Sequence, residues 1–471
     1  MKNINQTTFD NIDTQALWQK DKNHHLHAWS DLQTFESEGA LMIAEGDGCY
    51  LYDTDGKKYL DSVGGLWCNN IGLGRADMAE AIAEQVKQLS FNSNFNDLGS
   101  IPAANLAEKL AQLAPGNLNR VHFTTGGSTA VDTAFRLVQL YHYSRGNASK
   151  KHIISRKEAY HGSTYMGSSL GGKAGDRLPA YTYLSDIVHH ISCPYFYRAP
   201  EGMTESDYLD FLVKELEDKI LSIGADNVAA FFAEPILGAG GVIVPPKGYH
   251  QRTWEICKKY DLLYVSDEVV TAFGRLGHWF TSEDEFGIVP DIITTAKGLS
   301  SGYLPLGATI FSDEIYDAIS APDSDVWMAH GFTYAGHPVC CAAGLKNIEI
   351  MEQEGILDHV KEIGPYFEQQ LDTLLDLSIV GDRRGSHLMQ CVELVADKAS
   401  KTNFPKELNI GKWVHRHADK KGLIIRPVAN FTIMSPPLII TRKEVDFVVK
   451  TLRESIEATM AELREKSMWQ G

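Results

Sequence analysis

The chain has 471 residues, 44% of them apolar and 22% charged, which is the composition of a globular protein large enough for two lobes. Its 61 acidic residues outnumber the 44 lysines and arginines, and the net charge of -17 disfavours nucleic acids and anionic membranes as partners. No apolar run reaches the length of a bilayer span, no signal pattern opens the chain, and the seven cysteines lack the spacing of a disulfide framework or a zinc site, so a cytoplasmic location is expected.

The first predicted elements are short and irregular. Residues 1–19 show no clear periodicity, and we interpret them as an arm or as a segment that orders against a partner subunit. Residues 21–29, DKNHHLHAW, carry many hydrogen-bonding groups; local capping is the preferred interpretation, and a role in the active site is the alternative. Residues 39–62 alternate in polarity around Asp-Gly turns and predict a small antiparallel element. The stretch GGLWCNNIGLG then predicts a loop that presents the ring of Trp67.

A glycine-rich turn lies near the start of a larger α/β region. Apolar stripes predict helices over residues 77–89 and 103–113. The sequence RVHFTTGGSTAVDTA then predicts a strand that runs into Gly127 and Ser128, followed by a long helix. Glycines allow the backbone to approach an anion closely, and the start of a helix offers unpaired N–H groups. The turn is therefore a candidate phosphate cradle, with an ordinary strand-to-helix turn as the alternative.

The next strands carry aromatic and acidic groups at their ends. A predicted strand over residues 152–156 is followed by Tyr160 and His161, where an aromatic ring could stack on a planar cofactor. An amphipathic helix over residues 206–224 leads to the strand VAAFFAEP, which delivers Glu234. These side chains are candidates for the same site as the glycine turn.

Two apolar, β-branched runs, residues 262–277 and residues 291–298, contain ionisable groups at the ends of predicted strands. The first strand ends in Asp267 and Glu268, and the second ends in Lys297. Open parallel sheets bind ligands at the carboxyl ends of their strands. Because the chain lacks a P-loop and a dinucleotide fingerprint, this pair suggests a cofactor held covalently by the lysine and tuned by the acid. The hypothesis is pyridoxal phosphate, against the alternatives of a surface lysine and a helix-capping aspartate.

This chemistry makes a demand on each group. A free lysine has a pKa of about 10.4, so burial or a nearby positive centre must lower the pKa of Lys297 before it can form an imine. Asp267 beside a ring nitrogen would keep that nitrogen protonated, so that the ring withdraws electrons from the reacting carbon. Glu268 points the other way on a strand and is assigned a structural role.

Strand and helix alternate over residues 77–315, which predicts a mostly parallel sheet covered on both faces. Beyond it the pattern changes to a long helix, short strands and a final helix that starts with Thr441 and Glu444 in capping-box spacing. The predicted fold class is α/β, with a large domain built on a mostly parallel, seven-stranded-type sheet between helices and a smaller α+β domain from both termini. The expected division is an N-terminal segment of the small domain over 1–76, a large cofactor-binding domain over 77–335 and the C-terminal part of the small domain over 336–471.

Five longer motifs narrow the prediction: AEPILGAGGVIVPPKGY, SDEVVTAFGRLG, DIITTAKGLSSGYLPLGA, HGFTYAGHPV and GLIIRPVANFTIMSPPL. In their order and spacing they resemble the class III aminotransferases of pyridoxal-phosphate fold type I. The most similar branch is that of the ω-amino acid or amine:pyruvate transaminases, which includes polyamine:pyruvate and β-alanine:pyruvate enzymes. The resemblance extends from about Asp21 to the last helix.

The resemblance implies roles around the cofactor, which would alternate between pyridoxal 5'-phosphate and pyridoxamine phosphate. Lys297 would form the imine and Asp267 would face the pyridine nitrogen. Val269, on the same strand face as Asp267, would pack under the ring, with Tyr160 stacked on the other side. The remaining cofactor-binding residues would be Gly127 and Ser128 at the phosphate, Thr333 from the neighbouring subunit, His161, and Glu234 near the ring oxygen.

The resemblance also implies the substrate pocket and the assembly. Arg426 would be a mobile arginine that pairs with a substrate carboxylate and swings aside for uncharged substrates; an interlobe salt bridge is the alternative. Trp67, Phe95 and Tyr160 would line the pocket, with core packing as the alternative for Trp67 and Phe95. A site shared between subunits implies a homodimer or a tetramer of such dimers, and no metal is expected.

Some positions depart from the family pattern. Thr129 stands where the phosphate loop usually carries a glutamate, and Leu237 replaces a residue that is commonly polar. His387 replaces a glycine of the usual Arg-Gly-x-Gly turn, and Asn96 follows Phe95 where many relatives have a second aromatic residue. A more polar pocket wall would favour a donor with a distal amine or hydroxyl.

The predicted function is a transaminase that moves the amino group of an ω-amine, a diamine or an ω-amino acid to pyruvate, giving L-alanine in two half-reactions. A 2-oxoglutarate-dependent ω-transaminase and an aminomutase on the same scaffold are the alternatives among enzymes. A ligand-sensing regulator would need an appended DNA-binding segment, for which the short N-terminal stretch leaves no room. A dinucleotide-linked oxidoreductase is disfavoured because no GxGxxG follows a strand.

Overall fold

The computed structural model describes Phe9, residues 12–322 and residues 326–470. Most of the predicted N-terminal arm, residues 1–8, 10 and 11, lies outside the described residues. The strands are β1 (Ile43–Asp47), β2 (Tyr50–Asp53), β3 (Lys58–Asp61), β4 (Arg120–Thr124), β5 (His152–Arg156), β6 (Val188–Ile191), β7 (Val228–Ala233), β8 (Leu263–Asp267), β9 (Ile292–Thr295), β10 (Gly307–Phe311), β11 (Val380–Ser386), β12 (Met389–Leu394), β13 (Leu423–Ile424), β14 (Arg426–Val428) and β15 (Phe431–Met434).

The helices predicted over residues 77–89, 103–113 and 206–224 agree with the structure to within a few residues, because their apolar stripes and end signals are strong. Several others were not predicted, among them the helix over residues 14–24, which begins within the expected arm. In chain order, the helices of the described residues are α1 (Thr14–His24), α2 (Leu32–Glu38), α3 (Gly64–Trp67), α4 (Ala76–Gln88), α5 (Ile101–Leu113), α6 (Gly127–Ser144), α7 (Tyr165–Leu170), α8 (Glu205–Ile223), α9 (Tyr249–Lys259), α10 (Asp313–Ile319), α11 (Pro338–Gln353), α12 (Ile356–Asp372), α13 (Ile410–Lys420) and α14 (Arg442–Glu465). Among the described residues, no helix is both long enough and apolar enough to cross a bilayer.

A seven-stranded sheet forms the centre of the molecule, with strand order β4-β10-β9-β8-β7-β5-β6. The pairs from β9 through β8, β7 and β5 to β6 are parallel, as the alternation of strands and helices predicts. Strand β10 is antiparallel to both of its neighbours. Residues of β7, β8 and β9 are buried throughout, since α6 covers one face of the sheet while α8 and α9 cover the other.

Two four-stranded sheets flank this core. The first has the order β1-β2-β3-β13, in which Leu423 near the C-terminal end pairs in parallel with Leu60 near the N-terminal end. The second, β11-β12-β15-β14, is antiparallel and carries Arg426 at its edge. The pairing of β13 with β3 joins a strand from the N-terminal part of the chain and one from its C-terminal part in one sheet, as expected of the smaller domain. The boundaries at residues 76 and 335 remain a prediction.

Candidate active site

Three parallel strands deliver three ionisable groups to one edge of the central sheet. Glu234 directly follows β7, Asp267 is the last residue of β8, and Lys297 lies two residues beyond β9. All three line one cavity of about 490 Å³. The convergence follows from the parallel strand order, because the carboxyl ends of parallel strands share an edge.

Lys297 lies at the base of this cavity. It is only partly buried, because its side chain faces the cavity, and its backbone takes a left-handed conformation with φ of 44°. Loss of hydration on burial lowers the pKa of Lys297, and the attraction of Asp267 opposes this shift. The structure therefore favours a neutral amine at a lower pH than in a free lysine.

Asp267 is held in a fixed orientation. Its Oδ2 lies 2.6 Å from Nδ1 of His161, and its Oδ1 accepts a hydrogen bond from the backbone N–H of Val269 at 3.1 Å. Both side chains of the Asp267–His161 pair are buried. The other ring nitrogen of His161, Nε2, is buried without a hydrogen-bond partner among the described residues. A buried carboxylate held in this way can face a cationic ring nitrogen without reorganising.

The glycine turn after β4 also lines the cavity. Helix α6 starts at Gly127 without a side-chain cap, so that the N–H groups of its first turn are available to an anion. A Cβ atom at Gly127 would lie only 2.9 Å from Cγ1 of Val269, whereas Gly126 has extended backbone and open space around it. Ser128 Oγ accepts a hydrogen bond from Ser163 N–H at 3.1 Å. The turn is therefore a tight cradle that a side chain at Gly127 would fill.

Glu234 supports the aromatic wall. Its two carboxylate oxygens accept backbone hydrogen bonds from Tyr160, at 3.1 Å, and from Gly238, at 2.9 Å. Behind it, the buried guanidinium of Arg156 donates to the carbonyl oxygen of Glu234 at 2.5 Å. Burial raises the pKa of Glu234. The ring of Tyr160 meets Trp29 edge to face, with 5.9 Å between the ring centroids.

The outer part of the cavity has a mixed charge. Arg426 reaches it from β14, and burial lowers the pKa of its guanidinium while Tyr160 and Asp176 oppose the shift. Lys173 and Asp176 face each other at 3.6 Å. Trp67 forms a wall and is buried with φ of 67°. This end can hold a carboxylate against Arg426, and Asp176, which pairs with Lys173, adds a negative charge to it.

The structure brings most of the predicted site residues together and leaves two outside. Phe95 and Thr333 are exposed and do not line the cavity of their own chain. The placement of Val269 on the strand with Asp267 is wrong, because β8 ends at Asp267 and Val269 lies in the following turn. Val269 nevertheless faces the cavity, since that turn folds back over the glycine cradle. The predicted residues that line the cavity are Trp67, Gly127, Ser128, Tyr160, His161, Glu234, Asp267, Val269, Lys297 and Arg426.

Other cavity residues escaped the sequence analysis. Trp29 lines the cavity, which favours the alternative of an active-site role for residues 21–29 over the preferred interpretation of local capping. Cys68, Lys173 and Asp176 also line the cavity. Cys68 could have been predicted to line the cavity, because it directly follows Trp67 in the sequence. Lys173 and Asp176 carried none, because they lie in an irregular segment whose path depends on tertiary packing.

Comparison with known proteins places this arrangement in a family. The model of the family "Aminotransferase class-III" matches residues 34–456. The putrescine–pyruvate aminotransferase of Pseudomonas aeruginosa is 39% identical over 446 residues, which cover 94% of this chain and 96% of that protein. The mitochondrial gamma-aminobutyrate transaminase 1 of Oryza sativa subsp. indica is 40% identical over 436 residues, 90% of this chain and 83% of that protein. The solved ω-transaminase of Pseudomonas jessenii in complex with PMP superposes with a TM-score of 0.91 at 35% identity, covering 94% of this chain and 98% of that one.

Proposed function

The chain belongs to the class-III aminotransferases and is a pyridoxal-phosphate-dependent transaminase, and we propose that it transfers the amino group of a terminal amine to pyruvate. The donor class is a diamine or an ω-amino acid, in line with the names of the two relatives. The observation that carries the proposal is that Lys297, Asp267 and the glycine cradle line one cavity.

The residues present fit the cofactor. The start of α6 with Gly127 and Ser128 suits a phosphate group, because its N–H groups have no side-chain cap and a Cβ at Gly127 would fill the space. Asp267 suits a protonated ring nitrogen, and Lys297 suits an aldehyde. When bound, pyridoxal phosphate supplies an aldehyde that exchanges between amines and a ring that withdraws electrons.

The residues of the chain then divide the remaining work. Burial lowers the pKa of Lys297 and so favours its neutral amine. That amine can bind the aldehyde and afterwards carry a proton at Nζ. Asp267, oriented by the Nδ1–H of His161, stabilises positive charge on the ring nitrogen. Glu234 holds the backbone of Tyr160, so that the phenol ring stays at the cavity wall.

Arg426 is proposed to recognise the carboxylate of the acceptor. A guanidinium can form two parallel hydrogen bonds to a carboxylate, which a lysine cannot. Its neighbours in the cavity mouth, Lys173 and Asp176, give that end both signs of charge. The mouth can therefore receive a keto acid in one half-reaction and a donor with a distal ammonium in the other.

A donor and acceptor panel tests the function. Purified enzyme should form L-alanine from pyruvate with 1,4-diaminobutane, β-alanine or 4-aminobutyrate, read as kcat/KM. The yellow cofactor absorbance should bleach when an amine is added without an acceptor. Lys297→Ala should abolish turnover while retaining non-covalently bound cofactor. Activity with 2-oxoglutarate alone, or isomerisation without any acceptor, would replace the proposal by one of its two alternatives.

We further propose a homodimer in which Thr333 serves the site of the other subunit. Thr333 is exposed and lies outside the cavity of its own chain. Its segment lies beside Phe95, since a Cβ at Gly331 would be 3.4 Å from that ring. Two large apolar side chains of the same stretch of chain are exposed, Trp327 by 73% and Tyr334, next to Thr333, by 61%, which favours a surface that a partner covers. We also propose the division into two domains, which the sheet topology supports, and a cytoplasmic location, which the composition supports.

Complementation between inactive subunits tests the shared site. Lys297→Ala lacks the essential amine, and Thr333→Val lacks the hydroxyl expected at the phosphate. Co-expressed hybrids would contain one intact site only if Thr333 acts across the interface, so activity above that of either parent is expected. Activity no higher than the parents, in hybrids verified by mass spectrometry, would contradict the shared site.

A further inference from the structure

A cluster of possible metal ligands lies outside the catalytic machinery, at the end of α1. Asp21 lies in the last turn of this helix, and His25 and His27 follow it. The Asp21 Oδ1 is 3.0 Å from Nδ1 of His25, and Oδ2 is 2.7 Å from Nε2 of His27. One ligand atom from each of the three residues lies within 4.8 Å of the other two. Small rotations of these side chains would bring the three atoms around one ion.

The chemistry of the three groups suits a transition-metal ion. Two imidazole nitrogens and one carboxylate are ligands that zinc and its neighbours accept, with bonds of about 2.0–2.2 Å to each. Three protein ligands leave further positions for water. The carbonyl end of a helix carries partial negative charge, which also favours a cation. The neighbouring charged side chains, Lys22 and Glu36, pair with each other at 3.4 Å and leave the carboxylate of Asp21 to the histidines.

The site is partly preorganised. The ring of His27 packs against Phe35, with 4.4 Å between centroids, and Phe35 in turn meets Trp18 edge to face. His27 and Asp21 are largely covered, with 29% and 15% of their side chains exposed, whereas His25 is 67% exposed. Asp21 and His27 are therefore held in place, whereas the more exposed His25 is held by Asp21 and by the ring of His27, with 4.5 Å between the centroids.

We propose that Asp21, His25 and His27 form a binding site for a divalent transition-metal ion of the zinc type. The site is separate from the cofactor cavity and does not depend on the proposed substrates. Its place in the chain gives it a consequence, because His27 is two residues from Trp29, which lines the cavity and contacts Tyr160. A bound ion would therefore fix the conformation of the turn that places Trp29 in the cavity wall.

Calorimetric titration with Zn²⁺ tests the site. The full-length, cofactor-loaded enzyme without an affinity tag is stripped with a chelator and titrated in parallel with three variants. The wild type should bind one ion per chain saturably. His27→Ala and Asp21→Asn should lose this binding. His24→Ala should bind like the wild type, since His24 is an exposed neighbour on α1 outside the cluster.

The circular dichroism and the cofactor absorbance of each variant establish that the fold and the catalytic site are intact. Binding that persists at full affinity in both His27→Ala and Asp21→Asn would overturn the proposal. So would the absence of saturable binding in the wild type, which would leave the cluster as a hydrogen-bonded trio. Neither of these results would contradict the proposed transaminase function, so the metal site and the function are tested separately.

Discussion

His161 and Asp267 show how one residue sets the chemistry of another. The buried carboxylate of Asp267 lines the cavity, and the short contact with Nδ1 of His161 fixes its orientation. A hydrogen bond to a charged group is worth about 1.5–3 kcal/mol, and this one acts on the group that faces the cofactor ring. His161 is therefore a positioning residue for Asp267.

Replacing His161 tests this role. His161→Leu removes the donor, and a fall in kcat of about 10-fold to 100-fold is expected from the loss of one charge-assisted hydrogen bond. His161→Asn keeps an N–H near the position of Nδ1 and should recover part of the loss. Both rates are read together with the cofactor absorbance band, which should shift in the leucine variant. Equal kcat in the two variants would assign His161 a packing role only.

Gly127 is the second residue on which the site depends. Gly127→Ala should weaken cofactor binding, because the added Cβ would lie 2.9 Å from Cγ1 of Val269. Gly99→Ala is the control, since nothing lies within 4 Å of a Cβ there and Gly99 does not line the cavity. The dissociation constant of the cofactor, from equilibrium dialysis, is the measurement. Gly127→Ala should cost less binding when it is added to Val269→Ala than when it is made alone, because the shorter side chain relieves the contact. An equal cost in both backgrounds would show that crowding against Val269 is not the cause.

The sequence allowed the residues at strand ends to be predicted and missed those on irregular loops. Asp267 and Lys297 follow buried β-branched runs, and such runs fix both the strand and the edge at which it ends. Trp29 and Asp176 reach the cavity through segments without periodicity, so their positions depend on contacts far away in the chain. Val269 was misplaced because the end of a strand is decided by its neighbours in the sheet, which the local pattern does not contain.

At the scale of elements, the ends of helices are specified by a few side chains. The capping boxes at Thr204 with Asp207 and at Thr441 with Glu444 each contain both reciprocal hydrogen bonds. The second was predicted from its spacing, and the structure confirms it. It starts the 24-residue helix α14, which packs along α12 and α13. Such caps fix where a long helix begins.

Thr441→Ala should lower the stability of the protein by about 1 kcal/mol, because the first turn of α14 loses the oxygen that accepts from Glu444 N–H. The free energy of unfolding, measured by urea at a fixed protein concentration, is the readout. Thr182→Ala, at an exposed loop position, is expected to change stability by less than about 0.5 kcal/mol. Equal losses in the two variants would mean that the cap contributes nothing.

The sequence did not predict the antiparallel direction of β10. Its residues, GATIF, are all buried and include the β-branched Thr309 and Ile310, like the buried residues of the parallel strands. An apolar run carries no information about strand direction, which is set by the connection before it. The loop from Lys297 to Gly307 contains no crossover helix, so the chain turns back beside β9.

At the scale of the whole molecule, buried histidines couple stability to pH. His250 is buried with both ring nitrogens engaged, Nδ1 by the hydroxyl of Tyr264 and Nε2 by the carbonyl of Pro235, each at 2.8 Å. Burial, helped by the charge of Arg156, lowers the pKa of His250 to about 3. Burial likewise lowers the pKa of His142 to about 4. Both rings stay neutral in the folded protein at a pH where the unfolded chain is protonated.

The melting temperature should therefore fall as the pH drops below about 6.5, since protons then bind the unfolded state in preference. Each such histidine contributes up to about 1.4 kcal/mol per pH unit between its two pKa values. His250→Gln, which keeps an N–H for the carbonyl of Pro235, should flatten the slope between pH 6.5 and pH 4. The exposed His24→Gln serves as the control. An unchanged slope in His250→Gln would show that other groups govern acid sensitivity.

The antiparallel course of β10 also decides how the two halves of the catalytic cavity are joined. Strand β10 starts at the cavity edge, so the segment that follows Lys297 stays on that side of the sheet. Gly307, the first residue of β10, lies against Gly126: a Cβ at Gly307 would be 2.6 Å from the carbonyl oxygen of Gly126. Ser300, Leu304 and Leu306 line the cavity along the way. The lysine and the phosphate cradle are thus tethered by about ten residues of one loop, a short closure that costs little entropy. A change in the length of that loop would displace the amine relative to the phosphate. We therefore expect the substitutions that adapt such enzymes to larger or smaller donors to lie in the outer wall of the cavity and not in this loop.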